Sequence, residues 1–222
     1  MASPCAVCAA VPLSTQPAVL VVDDDPAFLQ VLPAMLMRAF PDVTIETCIS
    51  PRLAASKLVR GHYHAAITDL AMAELDGFGV LSQVLEPRPC TPILFLTGKK
   101  DLELVERAFR QGAFDFVPKP LDRERLIWSL DLAIKTHRLR RRIEERRVYV
   151  TQLRVMHRRW QMPLSIQAAG AVEPSRSLMG ASFDRIEVSV RQSENVIERA
   201  ERLLRRRQDQ IQHEARRRLQ SY

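Results

Sequence analysis

Between residues 18 and 119, polar side chains of three kinds stand just after short apolar runs. Asp23, Asp24 and Asp25 follow AVLVV at 18–22, and Asp69 follows AAIT at 65–68. Thr97 follows ILFL at 93–96, and Lys119 comes two residues after FDFV at 114–117. Carboxylate oxygens are hard donors of the kind Mg²⁺ takes into its octahedron. A carboxylate is a weak nucleophile towards phosphorus until the donor's charge is neutralised and held in line, which a divalent cation does. A lysine can neutralise one phosphoryl oxygen, and a threonine hydroxyl can donate to another. Any one of these residues alone reads as a solvated turn residue. All of them at the ends of apolar runs read as a site.

The apolar runs must position that site. Each is short and bounded by turn residues, as buried strands are. The spacing predicts strands over 18–22, 43–48, 65–68, 93–96 and 114–117. It predicts helices over 26–40, 51–60, 77–86 and 101–111. Pro33 falls inside the first helix and is expected to kink or split it. Five strands alternating with helices imply right-handed crossovers and a doubly wound parallel α/β sheet covered on both faces. Groups that do chemistry in such sheets gather at the carboxyl edge of the strands, where the polar residues above fall.

VVDDDP (21–26), ITDLAMAELDG (67–77), FLTG (95–98) and FVPKP (116–120) occur in that order. Together they resemble the receiver domain of two-component response regulators, the CheY-like family, over about 17–135. The resemblance implies a five-stranded flavodoxin-like fold with Asp69 as phosphoacceptor. It implies Mg²⁺ held by Asp23, Asp24, Asp69 and the Ala71 backbone carbonyl, with Asp24 the principal ligand and Asp25 a spectator. Thr97 and Lys119 become the switch pair, Phe116 the switch aromatic, and the Lys119–Pro120 bond a candidate cis peptide. The implied donor is a sensor histidine kinase or a phosphotransfer protein. Ala73 departs from the proline that the family often carries there, and Ala71 and Lys99 flank the site where receivers tune dephosphorylation.

Charge divides the chain. Residues 1–122 hold 10 Lys/Arg against 14 Asp/Glu, while 123–222 hold 23 against 12. That asymmetry points to two modules: a receiver at 17–135 after a disordered leader at 1–16, and a basic all-α module at 136–222. In the leader, Cys5 and Cys8 form a CxxC without a second Cys/His pair, so no metal site is expected there. No positive n-region precedes the apolar leader and no run is long enough to span a bilayer, so a cytoplasmic location is expected.

Residues 122–162 read as one long charged helix. A 4-3 stagger runs through Leu132, Leu139, Ile143, Val150, Leu153, Trp160 and Leu164, interrupted by Thr136, Arg146 and His157. Residues 168–182 read as a loop. A second helix over 183–219 carries Ile186, Val190, Ile197, Leu204 and Ile211 at similar stagger. Each stripe needs a surface to cover it, and a dimeric four-helix bundle would supply one.

Residues 123–222 contain no helix-turn-helix, Gly-rich nucleotide loop or Zn ligand cluster, so no independent enzymatic output is expected. Three outputs stay open. One is a homodimerisation or partner-binding hairpin. Another is nucleic-acid binding by the arginine series at 138–142, 146–147, 158–159, 205–207 and 216–218, against which Glu144, Glu145, Glu198 and Glu201 offer pairing. The third is phosphotransfer at His157, since HRRWQMPLSIQ (157–167) faintly resembles the phosphoacceptor hairpin of sensor histidine kinases. There, proline falls six residues after the histidine rather than five, and Arg158 stands where an acidic residue is usual.

Overall fold

A computed structural model describes residues 16–60, 63–70, 72, 91–98, 102–161 and 176–220. Strands β1 (Ala18–Val22), β2 (Thr44–Cys48), β3 (Ala65–Asp69), β4 (Ile93–Thr97) and β5 (Asp115–Pro118) form one parallel sheet in the order β2-β1-β3-β4-β5. The helices are α1 (Pro26–Ala39), α2 (Pro51–Arg60), α3 (Leu102–Arg110), α4 (Arg123–Gln161) and α5 (Arg176–Gln220). The helix expected over 77–86, Ala71, Ala73 and Lys99, and the leader with Cys5 and Cys8 lie outside the described residues.

Alternation along each strand sends side chains to opposite faces of the sheet. Leu20, Val22, Phe95 and Phe116 pack with Ala54, Leu58, Ala108 and Phe109 on one face. Val19, Val21, Ile67, Leu94 and Val117 pack with Leu32, Leu36, Leu126, Leu130 and Ala133 on the other. The near-continuous apolar strands thus have helices on both sides, as a doubly wound sheet requires.

Pro33 does not split α1, which runs unbroken for 14 residues. Its ring is buried beside Leu32 and Leu36, so apolar burial offsets the backbone bond that a proline forgoes.

The chain forms two compact units: Met1–Arg141 together with Arg205–Tyr222, and Arg142–Leu204. This differs from a boundary at 135/136, for two physical reasons. Helix α4 passes that point without a break, burying Leu132, Ala133, Ile134 and His137 on the first unit. The end of α5 returns to the same unit: Ile211 joins one core cluster and Ala215 the other. Gln208 Nε2 donates to the carbonyls of Ala113 (3.4 Å) and Phe114 (3.1 Å), just before β5. Strand β5 is an edge of the sheet, and Gln208 of α5 bonds to the backbone just before it.

The second unit is a helical hairpin in which the stripes meet each other. Ile143 and Val150 of α4 pack with Val190 and Ile197 of α5, joined by Leu153, Ile186, Ala200 and Leu204. Leu139, placed on the seam by its spacing, is 40% exposed, whereas Thr136 is buried. Helix α5 starts at Arg176, so 176–182 are helical rather than loop. Arg147 pairs with Glu144 and Glu201, Arg154 with Glu194, and Arg191 with Glu187.

His137 makes a pH-dependent contribution to the first unit. It is buried against His64, ring centroids 5.0 Å apart. Burial, then the positive surroundings of His64, Arg141, Arg140 and Arg138, lower its pKa to about 3. Because the folded value lies below the unfolded one, the stability is present above pH 6.5 and is lost as pH falls towards 3. The slope approaches about 1.4 kcal/mol per pH unit. Between pH 6.5 and 5, urea unfolding should lose up to about 2 kcal/mol, and His137→Leu should remove most of that loss. An unchanged pH slope in the variant would assign the acid sensitivity to other groups.

Candidate functional site

The register brings the polar residues to one edge. Val22 lies opposite Cys48 and Thr68, Asp69 opposite Leu96, and Thr97 opposite Pro118. The residues that end β1, β3, β4 and β5 therefore share a level, at the point where strand order reverses between β1 and β3.

Lys119 is the centre of the arrangement. Its Nζ donates to Asp69 Oδ2 at 2.8 Å and to Asp23 Oδ2 at 3.2 Å. The same ammonium lies 4.4 Å from the centroid of the Phe28 ring. The peptide bond from Lys119 to Pro120 is cis. Burial pulls the lysine pKa down, but the bond to Asp69 and the charges of Asp69 and Asp23 outweigh it, and the net shift is upward.

Asp23 is buried, and Asp69 is 9% exposed. Asp23 Oδ1 accepts from the Asp25 amide at 2.9 Å, and the Asp23 amide donates to Cys48 O at 3.3 Å. Desolvation raises the Asp23 carboxyl pKa, with the Asp25 amide and Lys119 pulling the other way. Asp24 is exposed. Asp25 caps α1, accepting from the Ala27 amide at 2.9 Å with Pro26 at the first helical position.

The other expected site residues are placed less fully. Thr97 ends β4 at the right level, but its side chain lies outside the described residues, as does that of His157 in α4. Phe116 is 3% exposed and packed among core residues. Phe28 was not singled out by sequence, since its spacing in α1 marks it only as one more apolar helix residue.

Among the described residues, no three His, Cys, Asp or Glu side chains lie together as metal ligands. The carboxylates that do converge, Asp23 and Asp69, offer only hard oxygen donors, with Asp24 next along the chain. That donor chemistry fits Mg²⁺, and the cost of ionising buried Asp23 is one that a cation would lessen.

The family model for the response regulator receiver domain matches residues 19–131, half of the chain. The chain belongs to that family. NtrC of Klebsiella pneumoniae, a DNA-binding transcriptional regulator, is 31% identical over 114 residues, 51% of this chain and 24% of that protein. The C4-dicarboxylate transport transcriptional regulatory protein DctD of Pseudomonas aeruginosa is 30% identical over 128 residues, 58% and 27% of the two chains. This response regulator chain thus spans about a quarter of the length of the curated relatives it matches.

Among solved structures, a receiver domain from Clostridium thermocellum superposes with TM-score 0.51 at 26% identity, covering 55% of this chain and 98% of that one. A CheY-like receiver from Methanospirillum hungatei gives 0.52 at 21% identity, covering 56% and 98%, a likeness of fold. These matches bear out the α/β receiver expected from the four motifs.

Proposed function

We propose that Asp69 accepts a phosphoryl group from a sensor histidine kinase or phosphotransfer protein, and that the helical hairpin carries the result onward as an assembly module. The observation that carries this reading is the convergence of the Asp23 and Asp69 carboxylates on the Lys119 ammonium at the carboxyl edge of the sheet.

Asp69 is the nucleophile: one carboxylate oxygen attacks phosphorus, the bond from phosphorus to the donor breaks, and an acyl phosphate forms. Lys119, positioned against Asp69, neutralises a phosphoryl oxygen as charge redistributes. Asp23, Asp24, Asp69 and the Ala71 carbonyl would hold Mg²⁺, which would supply the charge neutralisation and in-line geometry of phosphoryl transfer. Thr97, level with the acceptor, donates to a second phosphoryl oxygen, and Phe116 is the aromatic that responds to that movement.

Acid–base pairing within the hairpin favours assembly over nucleic-acid binding as the output. Within the arginine series, Arg147 is engaged with Glu144 and Glu201, and Arg154 and Arg191 beside it pair with Glu194 and Glu187. The DNA-binding description of NtrC keeps the alternative in view, and a salt-dependent shift of labelled duplex DNA would establish it. Phosphotransfer at His157 is a third output. Among the described residues no helix is long and apolar enough to cross a membrane, and we place this activity in the cytoplasm. The test is labelling of the full chain by acetyl phosphate in Mg²⁺. An adduct cleaved by neutral hydroxylamine is expected, and its absence would overturn the assignment.

A further inference from the structure

Lys119 ends in an ammonium with three N–H donors, carried on a flexible stem of four carbons. It donates to the carboxylates of Asp69, at 2.8 Å, and Asp23, at 3.2 Å. A further contact is uncharged: the centroid of the Phe28 ring lies 4.4 Å from Nζ. The face of an aromatic ring is electronegative and attracts a cation within about 6 Å of its centroid.

The local sequence fixes that ring beside the site. Helix α1 starts just beyond the carboxyl end of β1, and Phe28, Leu32 and Leu36 recur every four residues along one of its faces. Leu32 and Leu36 are buried in the core. Phe28 opens the same face in the first turn, half-buried at the margin of the same cluster. Three hydrogen bonds tie this turn to the acidic end of β1. The Asp25 amide donates to Asp23 Oδ1 at 2.9 Å, and the Ala27 amide donates to Asp25 Oδ1 at 2.9 Å. The Leu29 amide donates to Asp25 O at 3.1 Å. Residues 23–29 therefore present a carboxylate and a ring to the same ammonium from one bonded turn. Any large apolar side chain could close the core margin there, but only an aromatic one offers a cation its face.

These contacts do not hold equally through phosphoryl transfer. Asp69 loses its negative charge as its oxygen bonds to phosphorus. Asp23, as a proposed Mg²⁺ ligand, would spend its charge on the metal. Both carboxylates thus loosen their grip on Lys119 when the ammonium is needed at a phosphoryl oxygen. The ring takes part in neither event, so its attraction persists.

We propose that Phe28 is a positioning residue for phosphoryl transfer, its ring face holding the Lys119 ammonium beside Asp69 while the acyl phosphate forms. The proposal rests on Asp69 as the phosphoacceptor. It assigns the role to the charge distribution of the ring rather than to its bulk.

The test changes that charge distribution and keeps the shape. Mono-, di- and pentafluorophenylalanine are placed at position 28 of the full chain, each step drawing more charge from the ring face. Labelling by acetyl phosphate in Mg²⁺ is followed by intact-mass spectrometry. The rate should fall at every step, reaching about 3–30-fold below the parent with pentafluorophenylalanine. Phe28→Leu should show a similar loss, and Phe28→Tyr should stay within about twofold of the parent. A second readout needs neither metal nor donor. Nuclei above a ring face are shielded, so in metal-free protein the Lys119 ε-methylene NMR signal should lie upfield of the other lysines. Lys119→Met assigns that signal, and Phe28→Leu should return it to the ordinary position. Circular dichroism should show equal helix in every variant.

A rate that stays flat across the fluorinated series would overturn the role of Phe28 and leave Asp69 as the acceptor. So would a Lys119 signal that Phe28→Leu does not move. A parent chain that takes no label would overturn the acceptor assignment, and this role with it.

Discussion

Asp69→Asn should abolish labelling by acetyl phosphate, lowering it at least about 1000-fold, while the chain stays folded. A carboxamide has nearly the shape of a carboxylate but cannot form the acyl phosphate. Lys119 keeps its second partner, Asp23 Oδ2 at 3.2 Å, so the ammonium is not stranded. Lys119→Met produces a different defect. The nucleophile survives, but the positive charge 2.8 Å from it is gone. Labelling should then slow by about 10–1000-fold without vanishing, the range over which single electrostatic donors act in comparable sites. Intact-mass spectrometry of the phosphoprotein over time separates the two. Undiminished labelling of Asp69→Asn would place the acceptor elsewhere, with His157 the first residue to change.

The largest stability effect belongs to Asp115. It opens β5 with 0% exposure and accepts two bonds from Arg125 Nη2, at 2.9 Å to Oδ1 and 2.7 Å to Oδ2. It accepts a third from Ser129 Oγ and a fourth, at 2.8 Å, from the Phe116 amide. The Arg125 side chain is itself only 11% exposed and lies 5.1 Å from the Trp128 ring. Asp115→Ala strips a buried cation of its counter-charge and leaves buried donors without an acceptor. Losing one partner of such a pair costs about 3–5 kcal/mol. Against a total stability of about 5–15 kcal/mol, that should bring the first unit close to unfolding at 37 °C. Pairing Asp115→Leu with Arg125→Met removes both charges together and should recover most of the loss. Urea titrations of the single and double variants measure this, and a single-variant loss under about 1 kcal/mol would show the network to be dispensable.

Asp115 also shows where sequence reading stops. The strand edges were legible because β1, β3 and β4 are short β-branched runs ended by polar residues. Once five such runs are read as parallel strands, their register forces Asp23, Asp69, Thr97 and Lys119 to one level. Asp115 carries no comparable mark, being a lone acidic residue inside an apolar run. Its partners lie 10 and 14 residues away on a helix, a spacing set by how that helix packs on the sheet. Phe28 was hidden for the same reason.

The α5 stripe was legible as spacing but not as partnership. Leu204 faces α4 within the hairpin, while Ile211, seven residues on, is in the core beneath the sheet. Periodicity reports that a face is apolar and is silent on what covers it. The 40% exposure of Leu139 is the converse case, a heptad position near the point where one helix passes between two units.

The return of α5 to the sheet bears on how open the β5 edge is to other chains. A parallel sheet in this strand order has a bare side at β5, where unpaired backbone groups can capture any extended peptide and seed fibrillar growth. Gln208 occupies the Ala113 and Phe114 carbonyls just before that strand, and Ile211 and Ala215 join the core clusters on either face of the sheet. A chain cut after Leu204 would keep five strands and every proposed phosphorylation residue. It would lose its guard against strand capture, so its failing would be colloidal rather than catalytic.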